Sequence, residues 1–342
     1  MAREIAETGA VLVRQLAANA PATRRIAAVL KQGDPRVVVT IARGSSDHAA
    51  LYLKYLVEIA LGIPCASIGP SIASLYQAPL RLEGALALTI SQSGRSPDIV
   101  ALQAAARRGR ALTLALVNDV DSPVAWGAEN LLPLHAGREQ AVAATKSVIA
   151  ALVAGASLVG QWAGDDGLGE AIGKLPALLS APAAPPPRAL VERIAAAKSA
   201  FVLGRGATAA IAAEAALKLK ETCAVHAEAF SSAEVLHGPA AIVRPGFLVI
   251  AFMPQDAARE GMGETLQRLA QMGAQLVVVD VAPENTFITP PQPLLAVPAA
   301  GHPLLTPIIM IHRFHGLVEA CAQALGRDPD HPPHLRKVTE TT

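Results

Sequence analysis

Five serines, Ser45, Ser46, Ser91, Ser93 and Ser96, fall in two short stretches, "ARGSSDHA" and "SQSGRSPD", each directly after an apolar run. A strand that ends in small hydroxyl residues and turns into a helix can hold an anion. The first helical turn offers N–H groups without intrahelical partners and the positive end of the helix dipole, and the hydroxyls add donors. Helix capping is the competing reading, because Ser is a preferred residue at helix starts and Ser-Pro-Asp opens many helices. Lys218 and Glu221 form a second group. Three residues apart on an expected helix, they share a face and can set a carboxylate base and a cation against one substrate. A solvated surface pair fits them equally well, with Glu214 as an alternative partner for Lys218. His237, in "AEVLHGP", carries a ring that titrates near neutrality or, alternatively, bonds to a loop backbone. Lys337 lies in "RDPDHPPHLRKVTETT", whose prolines exclude a regular helix and where a solvated terminus is the ordinary expectation.

These groups need a scaffold. From "RVVVTIA" onward, short β-branched runs alternate with longer helical stretches. Strands are expected at 36–42, 85–91, 112–117 and 130–134, and helices at about 3–31, 46–61, 97–109 and 141–163. Such alternation predicts a parallel sheet with helices on both faces. The serines then sit at the carboxyl ends of neighbouring strands, where open α/β sheets bind ligands. A proline-rich passage, "GKLPALLSAPAAPPPR", is expected to close one domain and serve as a connector.

Beyond it the pattern restarts. "RVVVTIARGSSDHAALYLKYLVE" and "SAFVLGRGATAAIAAEAALKLKE" share a strand, an Arg-Gly turn and a helix. "AARRGRALTLALV" and "LAQMGAQLVVVDV" repeat the next helix–strand unit at nearly the same offset of about 160 residues, which means duplicated domains. Where the first half has "SQSG", the second has "MPQD", so Ser91, Ser93 and Gly94 have no counterparts. A feature needed only by the fold would persist in both copies. Its loss from one favours a function in the other.

Composition narrows the classes further. With 342 residues, 52% hydrophobic and 17% charged, the chain can build two full cores. A net charge of +1 and 3% aromatics exclude the basic, ring-lined surface of a nucleic-acid binder. Cys65, Cys223 and Cys321 are odd in number and far apart, so a disulfide framework is not expected and a reducing cytoplasm is the default. "MAREIAETGA" lacks the apolar core of a signal peptide, and "VIAALVAGASLVG" is too short for a membrane span and reads as a buried helix. "HAE" at 226–228 also begins the metal site of zinc deaminases, but the Pro-Cys-x-x-Cys those enzymes need is missing. Ser231 and Glu234 have the spacing of a capping box.

Five segments, "ARGSSDHA", "SQSGRSPD", "AGREQAVAATKS", "GRGATAAIAAEAALKLKETCAVHAEAFSSAEVLHGP" and "LRKVTETT", occur in an order that resembles the sugar-isomerase (SIS) family. The likeness is to the isomerase half of glutamine–fructose-6-phosphate aminotransferase, the glucosamine-6-phosphate synthase, and covers nearly the whole chain. It implies an α/β fold of two tandem SIS domains, each a parallel sheet flanked by helices in an αβα sandwich. The expected parts are a helical segment at 1–34, a phosphosugar-binding first domain at 35–172, the connector at 173–189, a second domain at 190–325, and a tail at 326–342 that closes the active site. By the same resemblance Ser46, Ser91, Gln92, Ser93 and Ser96 hold the phosphate and sugar hydroxyls, and Val142 lies in a loop against the sugar. Glu221 matches the base that moves a proton between C1 and C2, and Lys218 assists with the enediol. His237 matches the ring-opening residue, supplied to the neighbouring subunit's site, which implies a homodimer. Lys337 matches the tail lysine that contacts the open-chain sugar and can form a Schiff base with it. No metal or other cofactor is implied, and the expected partners are a small-molecule sugar phosphate and a second copy, not nucleic acid or membrane.

The chain departs from the synthase in three places. It enters the sugar domain within about 35 residues, with no glutaminase domain before it, so glutamine-dependent synthesis is not expected. Arg95 stands where an acidic residue usually follows "SQSG", and Ala144 replaces a serine in "VASTK". The expected activity is therefore that of the glutaminase-free glucosamine-6-phosphate deaminases of this family, giving fructose 6-phosphate and ammonia. Other ketose–aldose isomerisations, deglycation of amino-acid–sugar phosphates, and ligand sensing without turnover are the alternatives. A sensor needs the serines but not Glu221, His237 and Lys337.

Overall fold

The computed structural model describes residues 1–181, 184–281 and 292–337. It divides into two units, each built on its own five-stranded sheet whose pairings are all parallel. One unit comprises Glu7–Glu139, Lys146–Pro176 and the tail from Leu335; the other comprises Met1–Ala6, Gln140–Thr145 and Ala177–His334.

The first-copy elements in chain order are α1 (Ala2–Gly33), β1 (Val37–Ile41), α2 (Ser45–Leu61), β2 (Cys65–Ser67), α3 (Ser71–Ser74), β3 (Ala85–Ser91), α4 (Pro97–Arg108), β4 (Leu112–Val117), α5 (Pro123–Gly127), β5 (Asn130–Pro133), α6 (Lys146–Ala163) and α7 (Asp166–Ser180). The sheet order is β2-β1-β3-β4-β5. The chain therefore leaves β1 for one side of it and later returns on the other, and β1 and β3 flank the crevice where such sheets bind ligands. Val39, Ile41, Ala87 and Ala115 from the strands pack against Ile99, Leu102 and Ala106 of α4. On α1, Gln15 Nε2 donates to the Leu134 and Ala150 carbonyls at 3.0 and 2.9 Å, which fastens this helix to the loop after β5 and to α6.

The second copy follows with α8 (Arg188–Ala195), β6 (Ser199–Gly204), α9 (Ala207–Lys218), β7 (His226–Ser231), β8 (Leu248–Phe252), α10 (Arg259–Gln271), β9 (Gln275–Asp280), β10 (Leu294–Ala296) and α11 (Thr306–Ala324). Its order, β7-β6-β8-β9-β10, repeats the first strand for strand. Gly44 and Gly206, before α2 and α9, share one backbone conformation (φ 54°, ψ −134° and φ 60°, ψ −137°), which a side chain rarely adopts. All six phenylalanines of the chain fall in this half, with Phe201 edge-on to Phe230 and Phe247 at 5.0 and 4.8 Å.

The expected strands are present within a residue or two. Three differences have physical causes. Short β2 was not expected, because three residues carry no readable period. The passage from Gly173, expected as a connector, is helical through Ser180 with Pro176 inside it. Burial of Leu175 and Leu179 holds that last turn despite the missing donor. The helix expected from 141 starts at Lys146, because Glu139 Oε1 accepts the Ser147 N–H at 3.1 Å and so occupies its first turn. As expected, "VIAALVAGASLVG" forms a helix, α6, which is long and apolar enough to cross a membrane and is buried along most of its length. All three cysteines are free, buried thiols, and burial pushes Cys65 up to about 11 and Cys321 up to about 12.

Candidate functional site

The β3–α4 turn is shaped by its smallest residues. Ser91 closes β3, and its Oγ accepts the Gly94 N–H at 2.9 Å. Gly94 has φ +63°, and a Cβ there would lie 2.1 Å from Ser122 Oγ, so only glycine fits. Ser93 Oγ accepts the Arg95 N–H at 3.3 Å. Ser96 occupies the N-cap of α4 with Pro97 at the first helical position, yet its side chain makes no capping hydrogen bond. The capping reading of Ser96 therefore fails where it was strongest. By contrast Ser122, which sequence reading did not single out, is a true cap: its Oγ accepts the Ala125 N–H at 3.4 Å.

The second serine stretch is tied to this turn. Arg43 donates from Nε to Asp98 Oδ2 at 3.0 Å and lies 2.9 Å from it through Nη2. Asp98 is buried in the first turn of α4, where its Oδ1 also accepts the Ile99 N–H at 2.8 Å. The link holds the start of α2, with half-buried Ser45 and Ser46, to the start of α4. Two helix N-termini and their serines are thus fixed in one unit, as an oxyanion ligand requires. Beside Ser46, burial raises the carboxyl pKa of Asp47, partly offset by His48 and Arg43. Arg95 is bound on the outside of the turn. Its guanidinium meets Asp119 Oδ2 at 3.1 and 2.8 Å and the Asp121 carbonyl at 2.8 Å.

In the other unit Lys218 is the last residue of α9 and is fully buried. The chain then forms a π-helical turn, Leu219–Cys223, so Glu221 does not continue the α-helix as expected. Such turns recur at functional sites. Lys218 Nζ lies 2.5 Å from Glu221 Oε2 and 3.4 Å from Glu214 Oε1. The surface-pair reading is overturned, and both candidate partners are engaged at once. Glu214 is enclosed with the lysine, while the Glu221 side chain keeps 18% of its surface open to solvent. The arrangement sets one reachable carboxylate beside a buried cation, groups that can accept a proton and offset a negative charge.

His237 ends a short 3-10 turn and is exposed, its backbone N–H donating to the Glu234 carbonyl at 2.9 Å. Ser231 and Glu234 form no capping box. Ser231 Oγ instead accepts the Ala233 N–H at 3.3 Å. His226 and Glu228 lie exposed on β7. Val142 is half-buried, and its N–H donates to the Asp330 carbonyl at 3.1 Å. Gln92 is half-buried after β3, and its carbonyl accepts the Asp119 N–H at 3.2 Å. Lys337 does not end in solvent: its Nζ lies 2.7 Å from Glu139 Oε2. Glu139 is a residue that sequence reading missed. It lies 198 positions away, in the quoted segment "AGREQAVAATKS", and no periodicity connects the two.

Two doubly wound α/β units, with a serine-lined turn at the switch point of one, place that turn where open α/β sheets bind ligands. The comparisons give the class. The SIS domain pattern matches residues 34–159 and 193–305, and the chain belongs to the SIS domain family. It is 33% identical over 320 residues to the glutamine–fructose-6-phosphate aminotransferase of Thermus thermophilus, covering 89% of this chain and 52% of that one. The chain spans about half the length of the curated relatives it matches. A solved structure from Silicibacter pomeroyi, provisionally named a phosphosugar isomerase, is 46% identical with a TM-score of 0.90, covering 96% of this chain and 98% of that one. The fold is also that of glucosamine-6-phosphate deaminase from Thermotoga maritima, at 21% identity, TM-score 0.72, and coverage of 97% and 100%.

Proposed function

We propose that the protein is a phosphosugar aldose–ketose isomerase that acts as a deaminase, converting glucosamine 6-phosphate to fructose 6-phosphate and ammonia. One observation carries the reading: buried Lys218 is clamped between Glu214 and Glu221, and of the two carboxylates only Glu221 is partly open to solvent. A protein that only bound a sugar phosphate would need the serine turn but not this costly buried cation.

In this reading the serine turn and the starts of α2 and α4 hold the phosphate through backbone N–H groups and the hydroxyls of Ser46, Ser91, Ser93 and Ser96, with Gln92 and Val142 against the sugar. His237 opens the ring, supplied by a second copy in a homodimer. Glu221 takes the proton from C2 of the open-chain aldehyde and returns it to C1, while the Lys218 charge stabilises the enediol-like intermediate. The product carries a C=N bond at C2. Water adds across it and ammonia leaves, so no redox partner is needed. Lys337 contacts the open-chain sugar. The provisional name of the Silicibacter relative and the name of the Thermotoga neighbour support the class of reaction.

Ammonia release from glucosamine 6-phosphate tests the proposal. Glu221→Gln is expected to lower kcat by about 10³-fold and leave ligand affinity unchanged. Saturable binding by the wild-type chain with no ammonia released would replace the enzyme reading with a sensing one. Equal loss of binding and turnover in Glu221→Gln would remove the role given to that carboxylate.

A further inference from the structure

The carboxylate that meets Lys337 is held in place without it. Glu139 is buried at the start of α6, where its Oε1 accepts the Ser147 N–H at 3.1 Å and its Oε2 accepts the Ser147 hydroxyl at 2.6 Å. The positive end of the 18-residue helix α6 favours a negative charge at that point. The nearest lysine in sequence does not compete for it. Lys146 Nζ lies 2.6 Å from Glu7 Oε2. The Glu139 side chain is fully enclosed, while that of Lys337 keeps 23% of its surface open. One partner is thus a rigid anchor and the other a reachable group.

We propose that Glu139 is the positioning residue for the carboxy-terminal tail: its carboxylate, fixed on the first turn of α6, seats the Lys337 ammonium group before any sugar phosphate arrives. This rests on the function proposed above for the meaning of the seat, but not for its existence. A terminus with no anchor samples many conformations, and each must be lost when the tail is used. Seating the lysine beforehand removes that loss from the working step, so Glu139 should govern turnover more than binding of the phosphate.

Brief acetylation of the full chain with acetic anhydride, read by mass spectrometry, tests the seat without any substrate. In the wild-type protein Lys337 should react about tenfold more slowly than Lys174, whose pair with Glu170 is solvent-exposed, because a charge-assisted hydrogen bond protects it. Glu139→Gln should raise Lys337 labelling about tenfold, and Glu139→Asp should partly restore protection. Equal wild-type rates at Lys337 and Lys174 overturn the proposal even if no variant folds. Unchanged labelling in a folded Glu139→Gln protein also overturns it. With glucosamine 6-phosphate, Glu139→Gln should then lower kcat about tenfold at constant KM, and a loss confined to KM would count against it. If labelling behaves as stated while the wild-type chain releases no ammonia, the seat stands and the deaminase reading falls.

Discussion

The same turn is built in opposite ways in the two copies. In the first, after β3, small hydroxyl residues surround Gly94, and Ser96 at the start of α4 leaves its side chain unused by the helix. In the second, after β8, the chain reads Met253-Pro254-Gln255-Asp256, and the polar groups are spent on one another. Buried Asp280 at the end of β9 receives Arg259 through both carboxylate oxygens at 3.0 and 2.7 Å. Gln255 Nε2 adds a third bond to Asp280 Oδ1 at 2.8 Å, and Arg259 also reaches the Pro254 carbonyl at 3.2 Å. Arg259 beside the second turn is thus taken by an internal carboxylate, as Arg95 is by Asp119 in the first, so the copies differ in the serine hydroxyls that the second turn lacks. The first copy has Val117 at the end of β4, at the position of Asp280. The comparison teaches that one duplicated scaffold can leave a hydroxyl at the turn unused by its helix and convert the twin turn into a structural clamp.

Removing the clamp should have the largest effect on stability. Asp280→Asn takes a buried carboxylate from Arg259 and is expected to destabilise the protein by about 3 kcal/mol in urea melts, with phosphate binding by the first copy unchanged. A neutral result would mean that the second turn is not held by its ion pair. Acid should act on the second copy to a similar extent. Burial lowers His312 to about 4, with its Nε2 3.2 Å from the Ile5 carbonyl. The unfolded chain takes up this proton near pH 6.5, while the folded one resists until about pH 4. Stability is therefore lost as pH falls between those values, by up to about 3 kcal/mol, and His312→Gln should flatten that slope.

Smaller effects test the first turn. Gly94→Ala combines positive φ with an overlap on Ser122 and should cost about 2 kcal/mol and weaken phosphate binding together. Ser96→Ala should leave the melting curve within about 0.5 kcal/mol of wild type. It should nonetheless reduce affinity for a sugar phosphate about tenfold by calorimetric titration. Ser122→Ala should do the reverse, costing about 1 kcal/mol of stability as a lost cap. If Ser96→Ala and Ser122→Ala behave alike, the distinction between ligand hydroxyl and cap disappears.

Much of the fold was legible because its signals are local. Apolar runs such as "VVVTI" and "ALALTIS" need only be counted to be read as buried strands, and the Arg-Gly turns announce the duplication. β7 was harder: only the first three residues of "HAEAFS" alternate between exposed and buried and the last three are all half-buried, so no period can be read. Of the candidate site, the serines could be listed but not sorted. Whether Ser96 caps its helix depends on side-chain rotation, which no spacing encodes. Lys218 and Glu221 were readable as a pair. The burial of the lysine was not, because it follows from how α9 packs and from a π-turn that three-residue spacing cannot announce.

What the chain alone determined was the repeating order of strands and helices, the two copies and the place of the serines at strand ends, since each depends on residues close together in sequence. Tertiary structure decided which polar groups meet. Arg43 found Asp98, Arg259 found Asp280 and Lys337 found Glu139. A charge chooses its partner by distance and by the loss of water around it, and both quantities exist only once the chain has folded.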